Sequence, residues 1–219
     1  RWLSDWSSDV CSSDLKTDPG AFVFTGKAPR SEFDIQFFTY NKDECIEKTG
    51  LAPSSIEKLG GNGYCNWLNV HGISKPESVE TICRNQNIHT LVIQDILDVN
   101  QRPKFQEYEQ YAFLTLKSIV PSESEVITEQ ISFVFGSGFL LSFQERKADF
   151  FEHLRYRLRE DKGILRQRPA DFLLYSMLES ILDNYFMTLS HLDEEVEKLN
   201  FSNTKKEVLP SILVAIENH

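Results

Sequence analysis

The chain has 219 residues, 41% hydrophobic and 12% aromatic, enough apolar side chain to build a real core in one large domain or two small ones. A formal net charge of −10 argues against nucleic acid as a partner, which would call for clustered Lys and Arg, and suits a role with cations. Cys11, Cys45, Cys65 and Cys83 make no CxxC pair, and His71, His89, His153, His191 and His219 lack ligand spacing, so the pattern weighs against a zinc site and favours reduced, cytosolic thiols.

Residues 1–16 carry an echo, SDWSSD followed by SDVCSSD, with neither helical nor strand period. They resemble translated adaptor sequence and are read as a non-native leader. From Glu32, EFDIQFFTY alternates Phe33, Ile35 and Phe37 with Asp34 and Gln36, which predicts a half-buried strand. A loop-rich stretch, Gly50–Gly63, leads to a second strand at Trp67–Val70. Ser74-Lys-Pro-Glu77 has the spacing of a capping box with Pro in the first turn, and predicts a helix over Val79, Ile82 and Cys83. Thr90–Asp98 is a second, shorter helix. Tyr111–Val120, Ile127–Phe135 and Phe139–Phe143 then form a meander of β-branched and aromatic runs. After Gln144 helix dominates. Leu178, Leu182, Tyr185, Leu189, Leu192, Val196 and Leu199 keep one apolar seam along a helix from about Pro169 to Leu199. Asn200–Asn203 is read as a turn, and Thr204-Lys-Lys-Glu207 as the capping box of a returning helix.

This order predicts a mixed α/β layered domain over 17–165 and a helical hairpin over 166–219. No run approaches the roughly 18–20 apolar residues of a membrane span; the longest candidates are short, such as Ile212–Ile216. The chain starts without Met and stops inside an amphipathic pattern at His219, so it is expected to be a soluble piece of a longer protein.

The charges are the informative feature. Asp95 and Asp98 lie three apart on one predicted helix, and Glu179 and Asp183 four apart on another, so each pair shares a face. Like charges at these spacings repel by a few tenths of a kcal/mol unless solvated, the ordinary outcome, or offset by a cation. Asp193-Glu-Glu195 with Glu197 is read as an exposed helix face. In Gln101-Arg102-Pro103-Lys104, Pro103 ends the helix and pushes Arg102 into extended geometry, where Arg102 is placed to pair with a nearby carboxylate. No nucleophile with a neighbouring base, phosphate loop or HExxH occurs, which weighs against an enzyme.

The string Leu91–Lys104, preceded by Trp67-Leu-Asn-Val-His-Gly72 and followed by Phe143-Gln-Glu145, Gly163-Ile-Leu-Arg166 and Ala170–Ser176, resembles the amino-terminal cytosolic domain of the CorA family of magnesium channels, from about residue 33 onward. The resemblance implies an α/β/α sandwich with a mixed sheet, then a long helical hairpin, and beyond this chain a stalk helix and two membrane spans carrying the family's Gly-Met-Asn signature, in a homopentamer at the cytoplasmic face of the cell membrane. It implies a regulatory role: Mg2+ bound between neighbouring cytosolic domains holds such a channel closed. By position, Asp95 falls on the family's principal regulatory aspartate and Glu179 on a helix acid of a second site, with Asp183 a further candidate. Gln94 stands where some members have Glu, keeping an oxygen ligand but losing its charge. The partner of Asp95 is expected beyond His219, on the next subunit. Mg2+ is the implied cargo, with Co2+ or Ni2+ as alternatives. Two other readings are a zinc-transporting relative, disfavoured by the intact Gln-Arg-Pro-Lys string, and a helical scaffold, which leaves that string unexplained.

Overall fold

The computed structural model describes residues 21–26, 32–61, 63–121, 126–147 and 150–203. The strands are β1 (Asp34–Tyr40), β2 (Cys45–Thr49), β3 (Cys65–His71), β4 (Lys104–Glu107), β5 (Tyr111–Pro121), β6 (Val126–Gly136) and β7 (Phe139–Gln144). The helices are α1 (Pro76–Asn85), α2 (Thr90–Leu97), α3 (Glu152–Arg159) and α4 (Ala170–Asn203). The seven strands form one sheet in the order β2-β1-β3-β7-β6-β5-β4. Only β3 and β7 pair in parallel; the other neighbours are antiparallel, with β5, β6 and β7 forming the expected meander. The two-residue turn between β6 and β7 places Gly138 at φ +77°, a conformation glycine adopts without steric cost.

Side-chain alternation along the strands sends two separate cores to the two faces. On one face Ile35, Leu68, Val70, Phe113, Val134 and Leu141 pack under α1 and α2; on the other Phe38, Tyr40, Trp67, Ile131, Phe133 and Leu140 pack under α3 and α4. The result is the expected α/β/α sandwich. It also overturns the half-buried reading of β1, because Ile35 points to one core while Phe38 and Tyr40 fill the other. The doublet Phe37-Phe38 had already broken the alternation. β2 and β4 escaped notice in the sequence because they are short edge strands that need little apolar side chain.

Two further expectations are corrected. Helix α1 starts at Pro76 with Lys75 at its N-cap and no side-chain cap, so Ser74 does not close a capping box. The turn read at Asn200–Asn203 is helical, since α4 runs 34 residues to Asn203, about 51 Å at 1.5 Å per residue. The domain-facing side of α4 is Leu173, Leu174, Met177 and Ile181, and Leu182, Leu189, Leu192 and Val196 of the seam stand exposed beside it. The returning helix from Thr204 lies outside the described residues. Among the described residues no helix is long and apolar enough to cross a membrane.

Candidate functional site

Helix α2, TLVIQDIL, buries Val92, Ile93, Ile96 and Leu97 completely, which fixes its rotation and leaves Gln94 exposed and Asp95 half-buried in the last turn. A helix C-terminus leaves carbonyls without intrahelical partners and carries partial negative charge. Here two of those carbonyls are taken by side chains. Gln101 Nε2 donates to Asp95 O. Gln130 Nε2, from β6, donates to Asp95 O and Ile96 O at 3.2 Å each. Beyond the helix, Lys117 Nζ, from β5, donates to Val99 O.

Asp98 has left the helix at ψ 91° and is the C-cap. Its Oδ1 accepts from Asn100 N at 3.1 Å and from Thr25 Oγ1 at 2.8 Å, while the Thr25 hydroxyl accepts from Val99 N at 3.0 Å. Asp98 is therefore spent on closing the turn, and the two aspartates do not form one acidic pair. Asp95 is offset differently. Lys104 Nζ forms an ion pair with Asp95 Oδ2, the side chains being 33% and 19% exposed. The register explains why. Lys104 opens β4 opposite Thr115, which itself stands opposite Ser132, and this polar row runs across the sheet on the α2 side. The cation beside Asp95 is thus Lys104, correcting the expectation for Arg102, which is exposed. Pro103 sets the extended entry into β4, and Gln101 holds the helix end, so the Gln-Arg-Pro-Lys string supports the site structurally.

Glu179 and Asp183 are on α4, across the sheet from Asp95, and both face solvent; Glu179 Oε1 accepts from Tyr175 Oη at 3.4 Å. The structure does not bring them together with Asp95. As a test of fit to a hard divalent cation, Asp95 offers one carboxylate and Gln94 a neutral amide oxygen. No group of three His, Cys, Asp or Glu that could hold a metal occurs among the described residues. Mg2+ keeps several waters and takes one or two protein carboxylates, so the donor fits in kind, with further ligands left to water or another chain.

Two buried titratable groups, Glu129 and His71, were given no role by the sequence. Glu129 on β6 is 2% exposed and accepts from Arg146 N at 2.6 Å; burial, aided by nearby Glu145, pushes its carboxyl up to about 7 against the opposing pull of Arg146. His71 on β3 is lowered to about 4, first by burial and then by the Arg155 guanidinium. A neutral ring lets His71 Nε2 accept from Asn69 Nδ2 at 2.9 Å; Asn69 Oδ1 accepts from Ser142 Oγ at 2.7 Å, and Ser142 Oγ from Trp67 Nε1 at 2.9 Å. Nothing in a strand such as VITEQISF signals that its Glu will be buried.

A two-layered helical cover over a mixed sheet, with one acid presented at a helix end, defines an α/β/α domain with a charge-bearing edge. The chain belongs to the CorA-like Mg2+ transporter family, whose model matches residues 62–214. The cobalt/magnesium transport protein CorA of Thermotoga maritima is 35% identical over 183 residues, covering 83% of this chain and 52% of that protein, so the chain spans about half the length of this curated relative. The soluble domain of CorA from Methanocaldococcus jannaschii shares the fold at a TM-score of 0.61 and 20% identity, over 82% of this chain and 69% of that one. The ZntB cytoplasmic domain from Vibrio parahaemolyticus shares it at 0.58 and 15%, over 75% and 64%. The family is one of transporters rather than enzymes.

Proposed function

We propose that this chain is the magnesium-sensing regulatory domain of a homopentameric divalent-cation transporter, placed on the cytoplasmic face of the cell membrane, with Asp95 as the ligand it contributes to an intersubunit Mg2+ site. The observation that carries this reading is the half-buried carboxylate of Asp95: its main chain is anchored by Gln101 and Gln130 while its side chain is paired with the Lys104 ammonium. A hard cation bridging Asp95 to an acid of the next subunit would join two surfaces that otherwise repel. Its effect on gating must come from preferring the closed assembly over the open one. Glu179, with Asp183 a turn away, is the proposed second acidic locus, and Gln94 a weaker oxygen donor beside Asp95.

The test is Asp95→Asn in the full-length protein, followed by protease protection titrated with Mg2+. The fold should survive, because the substitution keeps shape and a hydrogen-bonding side chain, and the midpoint should rise by about tenfold or more, as loss of one charged ligand implies. Coincident midpoints would remove Asp95 from the site and turn attention to Glu179 and Asp183. Flux of Mg2+, Co2+, Ni2+ and Zn2+ by the full-length protein identifies the cargo.

A further inference from the structure

We propose that Lys104 is a tethered rival for the cation at Asp95: its ammonium holds the carboxylate within the subunit, and a divalent ion gains Asp95 only by displacing it. This rests on the regulatory reading of Asp95. Three features carry it. First, Lys104 is anchored at its Cα, because Pro103 sets the backbone entering β4 and pairing with Thr115 fixes the strand, while a lysine's ammonium sits on a flexible four-carbon stem. Second, the Asp95–Lys104 pair is only partly shielded, at 19% and 33% exposure. The attraction therefore exceeds that of a fully hydrated pair, yet water lies within reach of a released ammonium. Third, the main chain of Asp95 is held independently of Lys104, since Gln101 and Gln130 both donate to its carbonyl. The backbone that carries the carboxylate therefore does not depend on which cation wins.

A cation on a short tether acts at an effective concentration in the millimolar range or above, so an untethered ion must offset that advantage by its own concentration or tighter binding. Lys104 thereby sets a threshold for the metal, and the same ammonium neutralises Asp95 when the ion leaves, limiting the cost of a bare, half-buried carboxylate. Lys104 is a positioning and threshold residue here and touches no cargo.

The experiment measures the Mg2+ midpoint of protease protection in full-length protein for wild type, Lys104→Gln, Lys104→Arg, Asp95→Asn and the Lys104→Gln/Asp95→Asn double variant. Lys104→Gln should lower the midpoint about fivefold, about 1 kcal/mol at 1.4 kcal/mol per tenfold. Lys104→Arg, which keeps the charge, should stay near wild type, and Lys104→Gln should add nothing once Asp95 is Asn. In wild type, acylation of the Lys104 amine followed by mass spectrometry should quicken as Mg2+ is added, a readout that needs no substitution. An unchanged or raised midpoint in Lys104→Gln, or a shift that persists without Asp95, overturns the inference. If Lys104→Gln does not fold, acylation indifferent to Mg2+ overturns it instead. Should Asp95→Asn leave the midpoint where it was, the regulatory reading itself fails, a different result from a silent Lys104.

Discussion

Among single residues, the work at the end of α2 is divided between groups that fix the backbone and one that answers the charge. Gln130 belongs to the first kind: it is 1% exposed and reaches from β6 to two carbonyls of the helix end. Gln130→Ala removes both bonds and leaves the Ile96 carbonyl to be satisfied otherwise, Asp95 O keeping its bond from Gln101, so chemical denaturation should show a loss of about 1–3 kcal/mol. Asp95→Asn should cost about 1 kcal/mol or less in the same measurement, because a partly exposed ion pair is worth little. If the order were reversed, Asp95 would be holding the fold and not waiting for a ligand. Asp95 was visible in the sequence as an acid needing an explanation. Its partner was misread as Arg102 because the register of a four-residue edge strand decides which side chain turns toward α2, and Thr25, Lys117 and Gln130 come from segments that only the folded chain brings near.

At the scale of elements, periodicity and cap signals located the meander, α1, α2 and α4, while the short helix α3 was not resolved from the general helical character after Gln144. The meander, α1 and α2 were readable because their apolar residues recur at the period of the element. Edge strands β2 and β4 lack that pattern, and β1 misled because both of its faces are covered. Helix α4 shows the same difficulty in reverse. Its heptad-like seam is real in the sequence, but the sheet binds an adjoining stripe, with Met177 and Ile181 buried while Leu182 and Leu189 point outward. Two apolar stripes on one helix cannot be ranked from spacing alone. The ranking can be measured: Ile181→Ala, at 2% exposed, should destabilise the domain by about 2–4 kcal/mol, whereas Leu189→Ala, at 56%, should stay within about 0.5 kcal/mol. Equal losses would mean that the seam, and not the Leu173–Ile181 face, holds α4 to the sheet.

For the molecule as a whole, two buried groups, Glu129 and His71, make opposite demands on pH. Glu129 and His71 sit on different strands, and alternation puts both on the face covered by α3 and α4. Glu129, raised to about 7 from 4.5, binds its proton more tightly in the folded chain, so its contribution is complete below pH 4.5 and is lost as pH rises to about 7. His71, lowered to about 4 from 6.5, contributes fully above pH 6.5 and loses that contribution as pH falls toward 4. Between pH 4.5 and 6.5 the slopes oppose and are similar in size, so these two groups together should leave stability nearly level there. Separate variants should unmask each. In Glu129→Gln, whose amide oxygen can still accept from Arg146 N, stability measured by urea denaturation should fall on acidification from pH 6.5 toward 4 by about 1–3 kcal/mol relative to wild type. In His71→Gln, which has no proton to gain in this range, stability should instead fall as pH rises from 4.5 to 7, by a similar amount. A pair of variants with parallel pH profiles would show that neither group is held in the protonation state its burial demands.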